Sequence, residues 1–122
     1  MLPRLDQAVS VLLEDLQRRG LLETTLVALL GEFGRTPKIS NMGRDHWHHC
    51  YSAMLAGGGI RGGLVYGSSD KCGAEVKERP VPPEDFGATL LRALNVPLDV
   101  RMAPDGFTFP ASPGTPIDEL FG

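Results

Sequence analysis

Five apolar residues in a row, Leu26-Val27-Ala28-Leu29-Leu30, are followed directly by the segment Gly31-Glu32-Phe33-Gly34-Arg35. A short, continuous apolar run is typical of a strand that is buried on both faces of a parallel sheet. Ligands of such sheets bind beyond the carboxyl ends of the strands. We therefore expect the functional residues to lie in the segment that follows Leu30.

The pattern of apolar residues predicts a helix and further strands around this first strand. From Leu5 to Arg19 apolar residues recur at steps of three and four, which predicts a helix with Gly20 as its C-terminal cap. Two more short apolar runs predict strands at Tyr51–Ala56 and Leu64–Tyr66. Between the first two strands, the polar segment from Gly31 to Trp47 has no apolar periodicity and predicts a long functional loop.

The C-terminal part begins with a second predicted helix, opened by Val81-Pro82-Pro83-Glu84-Asp85, because prolines and acids favour the first turn. Its core face would consist of Phe86, Leu90, Leu91 and Leu94. Residues 97–122 are rich in proline and glycine and predict an extended tail with isolated apolar anchors: Phe107, Phe109, Ile117, Leu120 and Phe121. The order of elements predicts one α/β layered domain spanning residues 1–122.

Composition narrows the classes of partner. The 122 residues are 42% hydrophobic and 22% charged, as in ordinary globular proteins, and carry a formal net charge of −3. The basic residues are scattered, so we expect neither nucleic acid nor an anionic membrane as a partner. No apolar run approaches the roughly 20 residues that span a bilayer, and no signal peptide is recognisable. Two cysteines, Cys50 and Cys72, do not decide the compartment.

The densest chemistry lies within 19 positions: Glu32, Arg35, Arg44, Asp45, His46, His48, His49 and Cys50. Carboxylates, imidazoles and thiolates bind zinc and related divalent ions, so Glu32, Asp45 and His46 could converge on a metal if the loop folds back. The alternative is structural: Asp45 caps a turn, and His46 packs beside Trp47. Glu32 then pairs with Arg35 or Arg44. The spacing matches no closed zinc pattern and leaves both interpretations open.

The glycine-rich run from Gly57 to Gly63 suggests a phosphate-binding loop, because glycine lets backbone amides approach an anion. A dinucleotide-binding loop is followed directly by a helix, whereas Leu64–Tyr66 is predicted to be extended. The run therefore favours tight turns between strands. Thr36 precedes Pro37 and fits a turn, and no serine or cysteine lies in a nucleophile motif.

Several strings resemble the C-terminal part of the DUF1501 family, which is similar to the sulfatase and alkaline-phosphatase superfamily. The resemblance runs from about Leu5 to Phe121. Its most specific strings are Gly31-Glu32-Phe33-Gly34-Arg35-Thr36-Pro37 and Gly43-Arg44-Asp45-His46-Trp47, and it includes Leu55-Ala56-Gly57-Gly58-Gly59-Ile60-Arg61-Gly62-Gly63.

The resemblance implies a partial three-layer α/β/α core with a mainly parallel sheet. It also implies metal-dependent hydrolysis of a small anionic phosphate or sulfate ester, with zinc, manganese, calcium or magnesium as the divalent ion. Glu32 stands where the superfamily has an aspartate ligand, and His46 matches its later histidine ligand. Phe33 stands where a histidine often follows that ligand, which departs from a full two-metal site. Arg35 or Arg44 would compensate the charge of the ester.

The resemblance further implies that the chain is the C-terminal segment of a longer protein and lacks the half that carries the nucleophile. Such a segment would be inactive on its own, and the full-length protein could be extracytoplasmic. The competing interpretation is a non-catalytic binding or assembly module that keeps the fold. Superfamily sheets have many more strands than the two or three predicted for this chain. We therefore expect an exposed sheet edge through which the chain forms a homo-oligomer.

Overall fold

The computed structural model describes residues 2–101 and 109–122. Its elements in chain order are α1 (Leu2–Arg18), β1 (Val27–Leu30), β2 (Gly34–Arg35), β3 (His46–Trp47), β4 (Ala53–Ala56), β5 (Ser68–Ser69), β6 (Val76–Glu78), α2 (Pro83–Ala93) and a 3-10 turn (Asp118–Leu120). Two helices and several very short strands thus share one chain.

Helix α1 forms where the apolar periodicity predicts a helix, and it begins three residues earlier. It ends in a Schellman motif: Gly20 adopts a φ of 69°, its N–H donates to the Gln17 carbonyl at 3.0 Å, and the Leu21 N–H donates to the Leu16 carbonyl at 2.8 Å. No residue of α1 is buried. Over the described ranges, neither helix is long and apolar enough to cross a membrane.

The prediction of a mainly parallel sheet in a three-layer core is wrong. In the described part of the chain every strand pair is antiparallel and every sheet has two strands: β1 with β4, β2 with β3, and β5 with β6. Parallel neighbours need a crossover, usually a helix. The segment between β1 and β4 contains a hairpin instead and returns the chain in the opposite direction. Strand β1 is half-buried at Val27 and Leu29 and exposed at Ala28 and Leu30, so burial on both faces is also wrong.

The predicted strand at Leu64–Tyr66 is irregular in the structure, and the nearest strand, β5, begins at Ser68. The glycine run before it forms turns, as predicted, with positive φ at Gly57, Gly58 and Gly59. No helix follows this run. Ile60 instead forms an antiparallel bridge with Phe121, which brings the C-terminal residues against the turn after β4.

The best-packed region lies where the tail crosses α2. Ala88 and Thr89 are fully buried, whereas Leu94, predicted for the core face, is 59% exposed. The Thr89 hydroxyl donates to the Asp85 carbonyl at 2.7 Å and accepts the Ile117 N–H at 3.0 Å. A buried polar group therefore joins helix to tail with its hydrogen bonds satisfied. Of the predicted anchors, Phe109 is 70% exposed, and Phe107 lies outside the described residues.

Ion pairs fasten the end of the tail to the same region. Arg92 pairs with Asp118 and lies over the Phe121 ring, with its guanidinium carbon 4.5 Å from the ring centroid. Arg79 pairs with Glu119 at 2.7 Å. These groups are exposed, so each pair contributes at most about 1 kcal/mol. Side chains of α2 also hold the tail backbone, since the Thr115 N–H donates to Asp85 Oδ1 at 2.7 Å.

Candidate functional site

The segment predicted as a functional loop folds into a β-hairpin, which we call the 34–47 hairpin. In its ladder Gly34 lies opposite Trp47 and Arg35 lies opposite His46. The Thr36 N–H donates to the Asp45 carbonyl at 3.0 Å, and the Asp45 N–H donates to the Thr36 hydroxyl at 3.1 Å. These bonds and the ladder bring residues that are nine or more positions apart onto one short ribbon.

The tip of the hairpin is a tight turn between Ser40 and Gly43, which bond to each other in both directions. Asn41 occupies the left-handed region with a φ of 54°, a conformation that asparagine tolerates better than most residues. Ile39 and Met42 are 76% and 102% exposed at this tip. The turn therefore fixes the hairpin while leaving its apolar side chains in solvent.

Arg35 and His46 flank one aromatic ring. The His46 ring stacks on Phe33 with centroids 3.7 Å apart, and the guanidinium carbon of Arg35 lies 5.5 Å from the Phe33 centroid. Arg35 Nη1 also donates to the Arg44 carbonyl at 3.2 Å. One donor of the exposed guanidinium is thereby used to orient it, and its other N–H groups can serve a ligand.

The two predicted carboxylate ligands, Glu32 and Asp45, are exposed. Among the described residues, neither Glu32 nor Asp45 has an ion pair through its carboxylate, so the alternative in which Glu32 pairs with Arg35 or Arg44 is not formed. Asp45 is held through its backbone rather than its side chain. His46 packs on Phe33, and Trp47 contacts His49 instead, with ring centroids 4.6 Å apart.

A complete metal site is not formed by these side chains. Within residues 2–101 and 109–122, no three histidine, cysteine, aspartate or glutamate side chains lie together as a set that could hold a metal ion. Glu32, Asp45 and His46 are at most a partial donor set, and the predicted divalent ion would need further ligands.

A second loop supports the hairpin. Trp47 Nε1 donates to the Ala74 carbonyl at 2.6 Å, and His49 Nδ1 lies 3.3 Å from Glu75 Oε2. The rings of His48 and His49 are 4.1 Å apart. Nothing in the sequence pairs Trp47 with a residue 27 positions away. The structure therefore adds the 70–75 loop to the candidate site as a supporting element.

Asp70 organises that loop. Its Oδ1 accepts the Ala74 N–H at 2.8 Å and the Cys72 N–H at 3.1 Å. Backbone hydrogen bonds, first that from Ala74, lower the pKa of Asp70 below its usual 3.8 because they favour the charged carboxylate. The charged Asp70 carboxylate therefore stabilises the fold at every pH above the ordinary aspartate pKa. This stabilisation is lost as pH falls through the lowered pKa of Asp70 in the folded chain.

Trp47, the single tryptophan, reports this loop in fluorescence. We expect its emission to shift to the red only as pH falls below 3.8, the ordinary pKa of an aspartate, because protonated Asp70 no longer holds the Ala74 amide. Asp70→Ala should show the shifted emission at neutral pH. Asp6→Ala, a change on α1, is the control. An unchanged spectrum in Asp70→Ala would show that the loop does not depend on this carboxylate.

Comparison with known proteins identifies a family. The model of a family described as "Protein of unknown function (DUF1501)" matches residues 1–121. Neither a curated protein nor a solved structure matches the chain. The match covers every element described above, including the 34–47 hairpin, and its description states no chemistry. The sulfatase-like relationship and the hydrolase activity therefore stay predictions.

Proposed function

The chain belongs to DUF1501, a protein family of unknown function, and from this premise we propose that it is an anion-binding segment of a phosphate- or sulfate-ester hydrolase. In this proposal the 34–47 hairpin binds the charged part of the ester. The nucleophile comes from outside the chain, since no residue here lies in a nucleophile motif. The proposal therefore assigns binding to this segment and no turnover.

The observation that supports the proposal is the placement of Arg35. A guanidinium matches two oxygens of a phosphate or sulfate with parallel N–H groups. The hydrogen bond to the Arg44 carbonyl and the neighbouring Phe33 ring restrict this side chain before a ligand arrives. Restricting it beforehand reduces the entropy that binding costs. Arg44 adds a second cation on the facing arm of the hairpin.

The divalent metal belongs to the same proposal. Glu32, Asp45 and His46 would contribute some of the ligands, and groups outside the described residues would complete the coordination. A bound ion would supply electrostatic stabilisation of the ester oxygens. Because the donor set here is incomplete, we expect the chain alone to bind such an ion weakly and to leave its site open.

NMR titration with inorganic phosphate and sulfate tests anion binding. We expect dissociation constants of about millimolar, because one oriented guanidinium on an open surface contributes only a few kcal/mol. Arg35→Gln should weaken binding about tenfold, equivalent to about 1.4 kcal/mol. Arg61→Gln, outside the hairpin, is the matched control. Equal weakening in both variants would show nonspecific charge attraction and contradict the proposal.

The same titration tests the metal ligands. Zinc and manganese ions should perturb the signals of the hairpin in the wild type and less in His46→Ala. Identical perturbation in the two proteins would contradict the ligand assignment while leaving the anion result intact.

A second candidate function is a non-catalytic binding or assembly module. The observation that favours it is the small interior: of the described residues only Ala88 and Thr89 are fully buried. Turnover distinguishes the candidates when the protein is assembled with the segment that supplies the nucleophile. Hydrolysis of an aryl phosphate or aryl sulfate that is lost in Arg35→Gln favours the hydrolase, and absence of hydrolysis favours the module.

A further inference from the structure

The 34–47 hairpin is too short to hold its own shape. Strands β2 and β3 have two residues each, and the backbone hydrogen bonds described above run between its own two arms. An isolated two-stranded hairpin is at best marginally stable in water. The orientation of Arg35 depends on this hairpin, because its guanidinium bonds to the Arg44 carbonyl of the facing arm at 3.2 Å. The hairpin therefore needs an anchor in another part of the chain.

Trp47 supplies such an anchor at the base of the hairpin. Its Nε1 donates to the Ala74 carbonyl, 27 positions away in sequence, at 2.6 Å in a part-buried environment. Water competes less for a hydrogen bond in such an environment. In the ladder Trp47 pairs with Gly34, and the next pair is Arg35 with His46. The indole N–H thus holds the end of the ladder one residue pair away from Arg35.

The Ala74 carbonyl is itself held in place, because residues 70–75 connect β5 with β6 in a turn closed by Asp70. The Asp70 carboxylate accepts the Ala74 N–H at 2.8 Å. The Asp70 N–H donates to the Glu75 carbonyl at 2.9 Å, and the Asp70 carbonyl accepts the Gly73 N–H at 3.2 Å. The acceptor of the indole N–H therefore belongs to a turn with hydrogen bonds of its own.

A second contact between the two hairpins is weaker. His49 Nδ1 lies 3.3 Å from Glu75 Oε2, but the two side chains are 40% and 57% exposed. Exposed ion pairs contribute little because solvent screens them. The part-buried bond from Trp47 to Ala74 is therefore the contact on which the position of the 34–47 hairpin depends most.

We propose that Trp47 is a positioning residue of the anion-binding site. Its hydrogen bond to the Ala74 carbonyl keeps the ladder closed, and the closed ladder holds Arg35 in the orientation that receives the anion. This inference rests on the proposed function and adds to it a residue that does not touch the ligand. An apparent affinity scales with the fraction of molecules in the binding-competent state, so opening the ladder weakens binding without removing a ligand contact.

Replacing one atom of the indole tests the proposal. Because Trp47 is the single tryptophan, biosynthetic incorporation of benzothienylalanine replaces its N–H with sulfur and leaves the fused ring and every other residue unchanged. Fluorotryptophan, which keeps the N–H, is the matched control. In NMR titration with sulfate we expect the dissociation constant to rise between twofold and about fivefold in the sulfur analogue only. The upper limit corresponds to the roughly 1 kcal/mol net contribution of one hydrogen bond.

The Nε–Hε signal of Arg35 gives a second readout that needs no ligand. Its heteronuclear NOE should fall in the sulfur analogue, because the side chain gains motion on the ps–ns timescale. Sulfate affinity equal to that of the wild type overturns the inference and leaves the proposed function standing. If the wild type binds no sulfate, the proposed function fails. The Arg35 signal then decides the positioning role alone, and an unchanged signal overturns it.

Two substitutions of Asp70 test the turn that holds the acceptor. Asp70→Ala should raise the dissociation constant for sulfate at least twofold. Asp70→Asn should restore the affinity, because its amide oxygen can still accept the Ala74 N–H. Loss of a negative charge by itself would strengthen anion binding, so weaker binding in Asp70→Ala has the opposite sign to a charge effect. Equal or stronger sulfate binding in Asp70→Ala would refute a role for this turn in positioning Arg35.

Discussion

Replacing Gly114 with alanine should lower the free energy of unfolding by about 3 kcal/mol, because an added methyl group has no space there. An alanine Cβ would overlap the Glu84 carbonyl and lie 2.7 Å from the Asp85 backbone nitrogen. Both atoms belong to the first turn of α2 and cannot rotate away. The tail must therefore move off the helix.

Moving the tail also breaks hydrogen bonds. The Thr115 N–H donates to Asp85 Oδ1 at 2.7 Å, and the Ile117 N–H donates to the buried Thr89 hydroxyl at 3.0 Å. Urea unfolding followed by circular dichroism measures the loss. Gly62→Ala is the matched control, because nothing lies within 4 Å of its added Cβ. Equal stability of the two variants would show that the tail does not need its close approach to α2.

Gly34→Ala should have the second large effect, lowering the free energy of unfolding by about 2 kcal/mol. Its Cβ would overlap the Cys50 carbonyl and lie 3.0 Å from the Trp47 carbonyl, so the first pair of the 34–47 hairpin could not form. Without that pair Arg35 loses its place opposite His46. We therefore expect anion binding to fall together with stability.

Gly43→Ala separates these effects from a general effect of alanine. This glycine lies at the tip of the same hairpin, with nothing within 4 Å of an added Cβ. The variant should unfold like the wild type and bind phosphate equally well, as measured by urea unfolding and by NMR titration. If Gly34→Ala also keeps wild-type anion binding, the hairpin geometry is not what orients Arg35.

Local patterns predicted the helices but not the sheets. Apolar spacing and Gly20 are properties of a few neighbouring residues, and they place α1 and its cap correctly. The run Leu26–Leu30 specifies a strand but carries no information on the partner or its direction. That direction follows from the intervening hairpin, whose turn depends on Asn41 at a positive φ. The Asn-containing turn was the one sequence signal that could have indicated it.

The candidate site was likewise predictable from the sequence only in its residues and not in its geometry. The segment from Glu32 to His46 was identified from its density of charged and imidazole side chains, and the hairpin brings Arg35 and His46 together. The stacking of His46 on Phe33 and the bond from Trp47 to Ala74 depend on tertiary contacts that no spacing encodes. Residue chemistry is local, whereas its geometry is set by distant parts of the chain.

The lack of any buried residue in α1 sets the order in which the molecule opens. A 17-residue helix is marginal by itself in water, and the Schellman motif at Gly20 stabilises only its last turn. We therefore expect amides of α1 to exchange with solvent through local fraying, many times between two global unfolding events. We expect amides of α2, which is packed around Ala88 and Thr89, to exchange only when the tail dissociates from the helix. The two helices of one small chain thus report two separate opening reactions.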